Sequence, residues 1–145
     1  MKKNANTFSP GDDNNNPMEE KLQRKTEYVP IDIHKLMVGT NILIQTQDDT
    51  VYEFIIINPK KALVYVSGGK LFPGGIEATV ISSYWEDDYD HRKLCIIQKG
   101  LCIELKVPNG NMKSGHHYVS TTSVVSAKIT APDQSWSLEV WEDDQ

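Results

Sequence analysis

The residue types best suited to hold a cation sit together in Asp87-Asp88-Tyr89-Asp90-His91. Carboxylate oxygens and an imidazole are ligands that calcium or a transition metal takes. An EF-hand loop needs alternating acidic positions, a central glycine and a distant bidentate glutamate, and this run supplies none of them in register. Asp87, Asp88, Asp90 and His91 are therefore weak metal candidates inside what reads as a solvated acidic loop over 86–91, because like charges in a row face water. His116-His117 is a second imidazole pair. In a strand adjacent residues point to opposite faces, so at most one of them can join a given site. Without a His-Glu-x-x-His or Cys-x-x-Cys pattern beside them, the expectation is no bound metal and no cofactor.

Gly68-Gly69 and Gly74-Gly75 bracket Lys70-Leu71-Phe72-Pro73, which invites comparison with a phosphate cradle. A P-loop places its glycines before a helix whose N-terminus meets the anion. Here both flanks read as strands, so the glycines are expected in turns or bulges at a barrel corner. Ser120-Thr121-Thr122-Ser123 offers hydroxyls without a Gly-x-Ser-x-Gly elbow, and fits a half-exposed strand better than a nucleophilic site. No enzyme is expected.

The aromatic residues of the C-terminal segment are the remaining candidates. Read as extended, 135–144 puts Trp136, Leu138 and Val140 on one face and Trp141 with Ser137 and Glu139 on the other. Two tryptophans are costly to leave in water, since each buries on the order of 150–250 Å2. The segment is expected to dock on its own domain or to add a strand to a partner's edge.

Behind these candidates stands a succession of short apolar-alternating stretches between Tyr28 and Thr130, each closed by Gly, Pro, Asn or Asp. That is an all-β pattern. Residues 31–39 contain a single turn capped by Asp32 and ended by Gly39, whose Ile33, Leu36 and Met37 would close one end of a barrel. Strands are expected at 41–45 and 51–57 around a Gln47-Asp48-Asp49 turn, then at 62–67, 76–83, 94–97, 101–107, 117–122 and 124–129. The apolar run at the end of 51–57 suggests burial on both faces. The stretches 94–97 and 101–107 read as a hairpin with Cys95 and Cys102 on opposite arms. A small closed or half-open β-barrel, SH3-like or related, removes the sheet edges that such strands would otherwise expose. A compact β-sandwich is the alternative.

Composition divides the 145-residue chain into a polar tail at 1–27, a domain at 28–130 and an acidic tryptophan-bearing segment at 131–145. The N-terminal tail has too few apolar residues to offset its ordering entropy, and reads as disordered. Its five basic residues balance five acidic ones, and the domain balances ten with ten, so the net charge of −5 comes entirely from the last fifteen residues. Phosphate backbones are bound by clustered Lys and Arg, which makes nucleic acid an unexpected partner. No run approaches the roughly 20 apolar residues of a membrane-spanning helix. Two cysteines without a secretory leader point to free thiols in the reducing cytoplasm. The sequence thus reads as a non-enzymatic barrel module for protein or peptide interaction, an accessory or adaptor protein with Trp136, Leu138, Val140 and Trp141 as contact residues. The alternative is a small-ligand or metal-binding protein that uses the 86–91 loop.

Overall fold

The computed structural model describes residues 29–108, 116–134 and 137–141. The tail at 1–27, Trp136 and most of the Pro108–Gly115 connection lie outside the described residues. The fold is all-β, and among the described residues the strands are β1 (Ile31–Asp32), β2 (Asn41–Thr46), β3 (Val51–Asn58), β4 (Leu63–Gly68), β5 (Phe72–Trp85), β6 (Asp88–Leu94), β7 (Ile96–Ile97), β8 (Cys102–Pro108), β9 (His116–Thr130) and β10 (Leu138–Glu139). Strand pairing closes on itself as β2-β3-β4-β5-β8-β9 and back to β2, a ring of six antiparallel strands. A sandwich would leave two sheets without hydrogen bonds between them, whereas each ring strand here bonds a neighbour on both sides.

Period-2 patterning sets which side chains fill the ring. Ile42 and Ile44 from β2, Tyr52, Phe54 and Ile56 from β3, and Val64 and Val66 from β4 alternate inward and are buried. Val80, Ile103, Leu105 and Val124 complete the core from the other side. On β3 the outward Ile55 and Ile57 are half-buried, so the run at 51–57 keeps its alternation and its outer face stays partly open, contrary to the expectation of two covered faces.

Two strands are much longer than expected. The 117–122 and 124–129 segments are one strand, β9, and the Pro73-Gly74-Gly75 stretch lies within β5. Bulges explain both, because an inserted residue bends a strand without ending it. On β9 the register moves from Cys102↔Ser123 to Glu104↔Ser120. At that step Thr121 replaces the lost ladder bond: its hydroxyl accepts from the Ile103 amide at 3.1 Å and donates to the Thr122 carbonyl at 2.7 Å. On β5, Gly75 has φ of +81°, and a Cβ there would stand 2.2 Å from the Tyr65 hydroxyl oxygen. Glycine is required there so that the Tyr65 ring can lie across β5 and donate to the Gly74 carbonyl at 3.2 Å.

The expected 94–97 with 101–107 hairpin does not form. Cys95 adopts φ of +57°, which turns the chain out of β6, and β7 pairs instead with β1 through Ile31↔Ile97 and Asp32↔Ile96. β8 pairs with β5 and β9. Both thiols are free, Cys102 buried and Cys95 half-buried. Burial pushes both up from the ordinary thiol range, with Asp32 adding to the effect at Cys95 and Glu86 at Cys102.

Asp32 caps the turn Ile33–Lys35 by accepting from the His34 amide at 3.0 Å. Ile33 is fully buried and plugs the end of the ring where β2 begins and β9 finishes. Leu36 packs beside it, but Met37 does not join them: the turn stops at Lys35, extended backbone follows, and Met37 is 65% exposed. Among the described residues no helix is long and apolar enough to cross a membrane.

Candidate functional site

The acidic run is not a loop. Glu86-Asp87 is a two-residue turn, and β6 returns along β5. Pairing runs Ser82↔Leu94, Ser83↔Lys93 and then Trp85↔Asp88, so five residues of β6 span what two cover on β5. Residues 89–92 arch outward as a result. Tyr89 leans back from the arch, its ring edge-on to Tyr84 at 4.9 Å and its hydroxyl donating to the Glu104 carboxylate at 3.1 and 3.3 Å. Ser82 donates to the same carboxylate at 2.8 Å, and the Arg92 guanidinium lies 4.7 Å from the Tyr89 ring centre. Burial and then the Glu104 carboxylate push the Tyr89 phenol upward. Of the four metal candidates, His91 Nδ1 meets Asp88 Oδ1 at 2.7 Å. Asp87 sits in the turn and Asp90 on the arch. Among the described residues no group of three His, Cys, Asp or Glu side chains could share one ion.

The C-terminal segment docks on its own ring. Leu138↔Ile129 and Glu139↔Lys128 add β10 to β9, and the Val140 amide donates to the Ala127 carbonyl at 2.9 Å. The expected alternation ends there, because β10 is only two residues long and the chain bends after Glu139. Trp141 therefore turns inward with Val140 rather than away from it; it is 6% exposed and its Nε1 donates to the Val29 carbonyl at 2.7 Å. Leu138 remains 60% exposed. At the same end of the ring Val29 is 75% and Val38 62% exposed, and Met37 stands beside them in sequence. Gly39 ties this group to the tail: it lies against Pro132, while Thr130 and Ser137 share a hydroxyl contact of 2.6 Å. Val29, Met37, Val38 and Leu138 were not linked in the sequence, since they come from three separate segments.

The opposite end is open and polar. A cleft of about 550 Å3 lies between the β4–β5 turn, with Gly69 and Lys70, and the Ser120-Thr121-Thr122 stretch of β9. Two runs weighed separately in the sequence thus face each other, neither forming a phosphate cradle nor a nucleophilic elbow. Asp48 stands at the cleft's edge. Its Oδ1 accepts from the Thr46 hydroxyl at 2.6 Å, the Thr122 hydroxyl at 3.1 Å and the Thr50 amide at 3.3 Å. The Thr46 bond, with the others, holds its carboxyl below the ordinary carboxylate range. Leu71 is shared with a second, smaller cavity of about 220 Å3, lined by apolar residues including Phe72, Ile76, Val107 and Val119 and bordered by His117.

Fold and surface together define a small all-β ring with an apolar end and a polar, clefted one. No family model, curated protein or solved structure matches the chain.

Proposed function

We propose that the chain is a non-enzymatic β-barrel module that holds a protein partner on its apolar end, with Val29, Met37, Val38 and Leu138 as the contact residues. The observation that carries this reading is that four large apolar side chains, each at least 60% exposed, lie on the segments that meet at the end where β2 begins and β9 finishes, tied there by the Trp141–Val29 and Gly39–Pro132 contacts. Clustered exposed apolar surface marks a site of association, whereas single exposed apolar residues are ordinary. Of the tail residues, Leu138 keeps the contact role, whereas Trp141 is buried and bonded to the Val29 carbonyl. Exposed apolar side chains offer area to a partner rather than an enclosure for chemistry, which favours a binding module over an enzyme. The six-membered ring supports an SH3-like or related barrel, and the free thiols support a cytoplasmic setting.

The test is affinity capture with the intact chain against a Val38→Asp/Leu138→Asp variant, with thermal midpoints confirming that both are folded. Partners identified by mass spectrometry should be captured by the wild type and lost in the variant. An unchanged set of partners would remove the apolar end from the functional account.

A further inference from the structure

Along the open end, three features line up. β9 is paired with β8 over His116–Ser123, and its pairing with β2 begins only at Val124. Among the described residues, the side of β9 away from β8 therefore has no strand partner before the Gln47 amide donates to the Ser123 carbonyl at 2.8 Å. The polar cleft runs beside that edge at Ser120–Thr122, and the apolar cavity runs beside it at His117 and Val119. Leu71, exposed at the tip of the β4–β5 connection, forms the wall common to both.

We infer that this groove takes an extended peptide segment of a partner, added as a strand to the free edge of β9, with an apolar side chain in the cavity and a basic side chain toward Asp48. An open strand edge is satisfied by another strand, because every second residue presents an unmet N–H and C=O. The cavity beside Val119 suits an aliphatic group. Asp48 sets the charge at the other end: its carboxylate, ordered by Thr46, Thr50 and Thr122 at the edge of the cleft, presents a negative group to a partner's cation. Val119 and Thr122 are three residues apart, about 10 Å along a strand, so the apolar and basic side chains should be separated by a similar length of extended peptide. Lys70 on the facing wall disfavours a second basic group there and admits an acidic one. The site lies at the opposite end from the apolar contact surface and does not depend on it, which would make the molecule a two-ended adaptor.

The experiment uses the full chain and fluorescein-labelled hexapeptides of sequence Thr-Leu-Thr-Thr-Lys-Thr, with versions carrying glutamate for lysine, or proline for alternate threonines. Fluorescence anisotropy should show saturable binding of the lysine peptide, about ten-fold weaker binding of the glutamate peptide and none of the proline peptide, which lacks the needed N–H groups. Asp48→Asn should erase the preference for lysine over glutamate, and Leu71→Asp, at an exposed position that leaves folding intact, should abolish binding. Leu138→Asp should leave binding unchanged, so failure here and failure of the apolar-end reading are separate results. Equal binding of the lysine and proline peptides, or no saturable binding at all, would overturn the inference.

Discussion

The two ends of the ring meet the same problem, an opening onto an apolar interior, and solve it with different material. At one end Ile33 and Trp141, both from outside the ring strands, are buried in the opening, and Val29, Met37, Val38 and Leu138 are exposed on the segments around them. At the other end no such plug is seen among the described residues; Thr46, Asp48, Thr121 and Thr122 bond one another and the backbone across the gap. A plug stabilises through buried area, whereas a hydroxyl and carboxylate latch satisfies polar groups and contributes less. Rigidity should therefore be lost far more readily at the plugged end when one side chain is removed.

The largest expected effect is Trp141→Ala. Removing a buried indole should cost about 3–5 kcal/mol in chemical denaturation, and Trp141→Phe, which loses the bond to the Val29 carbonyl but keeps most of the packing, should cost about 1–2 kcal/mol. Near-equal losses would mean the hydrogen bond, not the plug, holds that end. At the latched end Thr121→Val strands the buried Ile103 amide and should cost about 1–3 kcal/mol, with hydrogen exchange accelerating first at the β9 bulge. A cost rivalling that of Trp141→Ala would erase the distinction between the two ends.

The pH dependence gives a smaller effect. Asp48 has a depressed carboxyl in the folded chain, so its contribution is present above the unfolded value and is lost as pH falls through the folded one. Between about pH 5 and about pH 2 the thermal midpoint of the wild type should fall toward that of Asp48→Asn, and parallel curves would show that the latch is not charge-assisted. The smallest effect is reserved for the acidic hairpin. Replacing Asp87, Asp88 and Asp90 by Asn should change stability by no more than about 0.5 kcal/mol. Millimolar calcium or micromolar zinc should leave the wild-type midpoint unmoved; a rise lost in the triple variant would instead restore a metal role to this run.

Strand positions were legible wherever alternation was clean. The stretches around Ile42, Phe54 and Val64 fall close to where period-2 patterning puts them, and the Asp32 cap and Gln47-Asp48-Asp49 turn act locally as their residue types dictate. Breaks were over-read at Gly74-Gly75 and at Thr122-Ser123, because a bulge and a turn use the same residues and differ only in whether the chain is paired afterwards. Cys95 gave no warning, since a positive φ at a non-glycine residue is imposed by the β1–β7 pairing around it. The surfaces proposed for contact were the least legible part. Asp48 reaches Thr122, and Leu138 shares an end with Val38, through the closure of the ring, and no spacing along the chain encodes either neighbour.

The bond from Trp141 to the carbonyl of Val29 has a practical consequence for handling the molecule. It sets Trp141 against Val29, 112 positions earlier, at 2.7 Å. A short flexible linker could join these positions while the chain is opened elsewhere, for instance at the exposed Lys60-Lys61 turn, giving a circular permutant with the same ring. The same proximity suits the ring for insertion into a surface loop of a host protein, where entry and exit points must lie side by side.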